Sequence, residues 1–283
     1  MAEIGTGKSR AKGMLLVFLA GLIWSFSGVL SKFIAWNAFS VIGFRSLIAA
    51  LILGGYRKSF RIVNKKVIWI GTLGTLGTAV LYMIANKITS AANAIVLQYA
   101  MPLVVIGYRA LVKHDRIRGG EYIAAGVVLL GVVLCFAQGF SSGGMPGNIL
   151  ALITAGTWAA VFLAAKEPGG DSMVFTYQSS MIAVLFLIAM PFDPGVAQGG
   201  VNWLMGIALG VSLGIGYLLF SLGMREEISP VDAAIIANVE PVMNPTWCFL
   251  FLGENPGPLS IIGAVLVLVA VTVYSVIGSR KQA

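Results

Sequence analysis

The amino-acid sequence predicts an all-α integral membrane protein of ten transmembrane helices, arranged as two inverted five-helix repeats with both termini in the cytoplasm. Three observations predict it. Of 283 residues, 58% are hydrophobic and only 11% charged, with a mean hydropathy of +0.91, a composition that leaves no polar surface for a water-soluble domain. Apolar stretches of roughly 20 residues, enough to span a hydrocarbon core of about 30 Å, follow one another along the chain. Trp24, Lys32 and Pro102 recur in the same order as Trp158, Lys166 and Pro241, the self-similarity expected of a duplicated unit.

The first stretch, 14 to 35, follows Lys8, Arg10 and Lys12. A signal peptide has a similar basic lead, but this run is too long and lacks a small-residue cleavage site, so it is expected to remain as the first helix. The second, 37 to 56, holds Arg45 near mid-depth, and the third, 67 to 87, holds Tyr82 and the glycines Gly71, Gly74 and Gly77. The fourth, 91 to 112, is interrupted by Pro102, and the fifth runs from 120 to 139. The second set falls at 146 to 166, 171 to 191, 201 to 224, 231 to 252 and 258 to 278, with Pro241 and Pro245 in its fourth member. Residues 1–140 thus form the first repeat and 141–283 the second. Because each repeat holds an odd number of spans, the second lies upside down relative to the first. Intervals between the stretches are short, so function is expected within the membrane.

The formal charge of +8 would suggest nucleic acid on a soluble surface, but its distribution reads as topology. With the N-terminus inside, the groups Lys8 to Lys12, Arg57 to Lys66 and Arg109 to Arg118, with Lys166, Arg225, Arg280 and Lys281, all fall on the cytoplasmic side. Lys32 and Lys87 alone lie near outer ends, a bias that follows the positive-inside rule. Cys135 and Cys248 fall in predicted helices of opposite halves and read as small packing side chains. The sequence offers no pattern for a metal or cofactor.

Tyr82 is answered by Tyr217, Trp69 by Trp203, and Tyr99-Ala-Met-Pro102 by Asn238-Val-Glu-Pro241. The basic loop from Arg57 to Lys66 corresponds to a loop around Asp193 with no Lys or Arg, as inversion requires. Gly21-Leu-Ile-Trp24-Ser, Phe44-Arg45-Ser, Val-Glu240-Pro241-Val and Phe251-Leu-Gly-Glu254 carry a resemblance to the drug/metabolite transporter superfamily, specifically its ten-helix EamA branch. The first half departs from the second-half pattern, with Met101 where Glu240 stands and His114-Asp115 in place of Gly253-Glu254.

Broken helices at matching positions of two repeats point to a transporter's central site, so Pro102, Pro241 and Pro245 are read as helix-break residues, against a simple packing kink. Glu240 near mid-helix must be paired, hydrated or protonated, since a charge there costs roughly 2.5 to 3.5 kcal/mol on insertion scales. Proton coupling, attraction of a cationic substrate and a structural hydrogen bond are the three open roles. Arg45 either neutralises Glu240 or binds a substrate carboxylate, and Gln178 stands near its repeat-related position. Trp24, Tyr82, Tyr99, Trp158 and Tyr217 offer aromatic faces for a flat or cationic ligand, against ordinary bundle packing. Gln98, Asn238 and Asn244 are mid-helix amides able to orient a ligand or join helices.

Two enzyme-like strings fail on physical grounds. Gly5-Thr-Gly7-Lys8-Ser9 lacks the leading glycine and the preceding strand of a phosphate loop. Gly139-Phe-Ser141-Ser-Gly143 lies in a predicted outer loop, across the membrane from the single histidine, His114. The resemblance implies a secondary transporter, not an enzyme, in a bacterial-type inner membrane, moving a small molecule by alternating access, possible coupling to protons being left open. Export of an amino acid or related metabolite is the first reading, import of a quaternary amine such as choline the second. A membrane sensor or scaffold without transport is the rival from another class. No nucleic-acid partner is expected, and the chain is read as a monomer or homodimer.

Overall fold

The computed structural model describes residues 3–112, 114, 119–142, 144–223, 225–226, 236 and 239–279. Among them every regular element is helical. The chain runs through α1 (Glu3–Trp24), α2 (Ser27–Phe33), α3 (Ala38–Arg57), α4 (Lys66–Ile88), α5 (Ala91–Gln98) and α6 (Met101–Leu111). It continues through α7 (Gly119–Ser142), α8 (Met145–Lys166) and α9 (Ser172–Ala183), which passes into a 3-10 segment, Val184–Phe192. A second 3-10 turn, Pro194–Gln198, leads to α10 (Gly200–Gly223), α11 (Val239–Leu252) and α12 (Pro258–Ser279).

Side-chain chemistry sets several of these boundaries. Asn37 caps α3 by accepting from the Ser40 N–H at 2.9 Å, Ser90 caps α5 by accepting from Asn93, and Asp171 accepts from Met173 and Val174 at the start of α9. α3 ends at Lys58 in the left-handed region, φ 49°. Gly253 does the same after α11 at φ 65°, and the Glu254 N–H folds back onto the Cys248 carbonyl. His114, which the sequence aligns with Gly253, also has a positive φ of 53°.

Five helical stretches are long and apolar enough to cross a membrane among the described residues: Arg10–Phe33, Ala38–Arg57, Lys66–Ile88, Ser172–Phe192 and Gly200–Gly223. Large apolar side chains such as Leu51, Leu73, Leu130, Phe192, Leu204 and Ile262 are exposed on the outside. Arg45, Thr75, Asn86, Asn93, Asn148 and Asn244 are buried. An apolar exterior around polar groups bonded to one another is the arrangement hydrocarbon solvent requires.

Helix pairing follows the two-half plan. α4 packs on α8 while α1 packs on α10; α3 packs on α10 while α4 packs on α9. The pairs α7 with α12 and α3 with α9 are their own counterparts. Each contact therefore maps onto another when the halves are exchanged. Where α7 meets α12, a Cβ at Gly131 would lie 2.7 Å from the Gly263 carbonyl, and one at Gly263 2.6 Å from that of Gly131. Only glycine allows backbones this close, the small-residue packing of membrane helices.

Two expectations about continuity are corrected. The first stretch is not one helix: Phe26 N–H bonds Ile23 instead of Leu22, and the helix restarts at Ser27. No proline marks this break; the loosened carbonyls are taken up by hydroxyls, Ser25 Oγ donating to Leu22 at 2.6 Å and Ser212 Oγ to Ile23 at 2.8 Å. Pro245 lies inside α11 and does not break it. A missing N–H removes one bond, and flanking helix bonds carry the chain through, as membrane helices commonly allow. Near Pro102 the chain breaks at Tyr99–Ala100, and α6 begins with proline in its first turn.

Candidate functional site

Trp24, Tyr82, Trp158 and Tyr217 meet around one internal cavity, which also receives Arg45, Gln98 and Glu240. The four aromatic residues form two repeat-related pairs, Trp24 with Trp158 and Tyr82 with Tyr217, one member from each of α1, α4, α8 and α10. The cavity therefore sits where the halves exchange. The charges have no such partners: Arg45 comes from α3 and Glu240 from α11, and their sequence counterparts are Gln178 and Met101.

Close packing fixes the rings. Trp24 meets Tyr217 edge-on, with centroids 5.4 Å apart and planes at 71°, and leans on Phe220 at 5.5 Å. A Cβ at Gly216 would fall on the Trp24 indole, so the glycine makes room for the ring. Tyr82 accepts at its hydroxyl from Asn244 Nδ2 at 3.1 Å, and Asn244 is fully buried against Gly28. Asn244 thus acts through Tyr82 and lies outside the cavity lining.

Arg45 is 3% exposed. Its Nη2 donates to the Ala79 carbonyl at 3.0 Å, and its Nε is buried with no hydrogen-bond partner. Glu240 Oε2 accepts from the Tyr99 hydroxyl at 3.2 Å, which brings Tyr99 to the edge of the site through its hydroxyl. No ion pair joins Arg45 to Glu240 among the described residues. Both residues line the same cavity.

Gln178 departs from its expected place. It is 1% exposed but off the cavity wall; its Oε1 accepts from the Val63 N–H at 2.6 Å and its Nε2 donates to Thr72 at 3.4 Å. The amide ties α9 to the chain entering α4, a contact fixed by a loop backbone that the repeat alignment does not see. Asn238 lies outside the described residues. Ser27, Thr78 and Ser212, which sequence reasoning did not single out, line the cavity. Thr78 and Thr157 share a hydroxyl bond of 2.7 Å between α4 and α8. Helical register with Tyr82 was the available signal for Thr78, four residues earlier on the same face.

A helical bundle with an apolar exterior and a charge-bearing central cavity between two related halves is the arrangement of a membrane protein of the transporter class. Sequence comparison gives the family: the EamA-like transporter profile matches twice, at residues 11–137 and 145–276. The chain belongs to the EamA-like transporter family. It is similar to the aromatic amino acid exporter YddG of Ancylobacter novellus, 26% identical over 233 residues covering 77% of this chain and 81% of that protein. It is similar also to the pseudopaline exporter CntI of Pseudomonas aeruginosa, 27% identical over 273 residues covering 91% and 94%. A crystal structure of a protein 22% identical in sequence superposes with a TM-score of 0.65 over 95% of this chain and 98% of the other, a likeness of fold. The family and these named relatives are transporters rather than enzymes.

Proposed function

We propose that this chain is a secondary exporter of amino acids or related zwitterionic metabolites, working by alternating access across a bacterial-type inner membrane. Its ten spans form two inverted repeats, 1–140 and 141–283, with cytoplasmic termini. The pairing of α4 with α8 and of α1 with α10 supports this plan, since an axis exchanging oppositely directed helices lies in the membrane plane. The observation that carries the substrate class is Arg45, a buried guanidinium on the cavity wall whose Nε has no hydrogen-bond partner and which makes no ion pair among the described residues. Such a charge is costly in a membrane unless a ligand supplies the missing acceptor, and a carboxylate matches its planar fork.

Glu240 on the same cavity suits the ammonium end of a zwitterion, and Trp24, Tyr82, Trp158 and Tyr217 suit a flat or apolar side chain. Export as the direction draws on the named exporters among the relatives. A quaternary amine could use Glu240 and the rings but would meet Arg45 as a like charge.

Purified protein in vesicles, offered labelled amino acids and amines with and without a pH gradient, tests this reading. Movement of amino acids but not of choline-like amines is the expected result, and dependence on the gradient would add proton coupling. Choline transport with no amino-acid movement would reverse the substrate assignment. No flux of any solute under any gradient would sink the carrier reading and favour a sensor.

A further inference from the structure

Away from the central cavity, a second polar pocket lies where Lys32, Thr89, Ser90, Asn93 and Glu254 converge. Glu254 Oε2 pairs with Lys32 Nζ at 2.8 Å, while its Oε1 accepts from the Ala91 N–H at 2.6 Å, at the start of α5. Lys32 Nζ also donates to the Thr89 carbonyl at 3.0 Å. One carboxylate thus joins three pieces of chain: the end of α2, the start of α5 and the turn that follows α11. The Lys32 and Glu254 side chains are 20% and 19% exposed, so solvent screens the pair only in part.

The two helices it joins are unusual. α2 has seven residues and α5 eight. Each begins or ends at a break beside the central cavity, α2 after Ser25–Phe26 and α5 before Tyr99–Ala100, with Ser27 and Gln98 on the cavity wall. Each reaches the Lys32 end of the bundle at its other terminus. A short helix with a break at one end and an ion pair at the other is built to turn as a unit about the break.

We infer that α2 and α5 form a two-leaf gate over the Lys32 end of the cavity, hinged at Ser25–Phe26 and Tyr99–Ala100 and latched shut by Glu254 through Lys32 and the Ala91 amide. The gate rests on the carrier reading above and names what must open at this face for cargo to leave. Gly253 serves the latch: its left-handed turn ends α11 and delivers Glu254 to the gap between the two leaves. Lys87 Nζ donates to the Ile34 carbonyl at 2.5 Å and ties α4 to the end of α2, a second bond that opening must release.

A cysteine introduced as Ser27→Cys on the cavity wall reports gate opening through its reaction with a membrane-impermeant thiol reagent. The reagent is applied separately to each face of oriented vesicles, and labelling of the buried Cys135 and Cys248 in the parent chain is subtracted. Lys32→Gln and Glu254→Gln should speed labelling from the Lys32 face about tenfold, the effect of losing one charge-assisted bond from the closed state. Glu254→Ala, which also abandons the Ala91 amide, should speed it further. Labelling from the opposite face should fall in step, because a carrier open to one side is closed to the other. Lys32→Glu combined with Glu254→Lys should return the rates part of the way.

Equal rates in parent and variants would overturn the latch while leaving the carrier intact. A rise from both faces would overturn it too, since that is a loosened fold rather than an opened gate. A cysteine at position 27 unreachable from either face in every variant would defeat the carrier reading, and the latch with it.

Discussion

A guanidinium that is 3% exposed and bonded to one backbone carbonyl still has an Nε without a hydrogen-bond partner, and Arg45 lies on the wall of the cavity. Replacing it by Gln removes the charge and the fork while keeping a polar side chain of similar reach. Transport of a carboxylated substrate should drop roughly tenfold to hundredfold, matching the value of about 1.5 to 3 kcal/mol for a hydrogen bond to a charged group. The amide analogue of the same substrate should lose far less, and competition between acid and amide in vesicles checks the difference. Glu240→Gln keeps an oxygen for the Tyr99 hydroxyl, so the fold should stand while affinity for the ammonium group weakens. Unchanged affinity for both acid and amine would leave Glu240 with the structural bond alone. Arg45 and Glu240 stood out in the sequence because charge is rare in an apolar run. Gln178 misled because its partner, the Val63 amide, lies 115 residues away on a loop.

Helices in this protein are shaped as much by what interrupts them as by what they bury. Pro102 announced its break through a missing N–H, whereas Ser25–Phe26 has no such signature, and the Ile23 carbonyl beside it takes a bond from Ser212, 189 residues further along the chain. Local chemistry is legible in a sequence; a break stabilised by a distant hydroxyl is not. The same holds for the Lys32–Glu254 pair: Lys32 showed as a repeat match and Glu254 as part of a family motif, with nothing in the sequence to join them. At the α7–α12 contact, Gly131→Ala or Gly263→Ala places a methyl against a carbonyl. Each should cost about 1 to 3 kcal/mol, the usual range for overpacking, read as a lower melting temperature in detergent. The double variant should cost less than the sum, because the first separation of the helices makes room for the second methyl.

Across the whole molecule, duplication was readable from ordered matches, and the structure adds that two aromatic matches, Trp24 with Trp158 and Tyr82 with Tyr217, converge on one cavity while Arg45 and Glu240 enter it unmatched. Inverted topology makes a direct prediction. Cysteines introduced at Ser59, after α3, and at Asn255, after α11, should react with an impermeant reagent from opposite faces, Ser59→Cys only from the cytoplasmic side. Labelling of both from one face would remove the inversion and the shared axis with it.

The positive φ at His114 and at Gly253, 53° and 65°, falls at positions 139 apart, the spacing of Pro102 and Pro241. One residue carries a side chain in a conformation that glycine adopts freely and others resist. Backbone dihedrals can therefore align the copies where their letters no longer agree, and they mark natural seams for recombination. A chimaera joining two second halves at that turn would inherit a glycine on both sides, and with it a backbone able to form each connection without steric penalty.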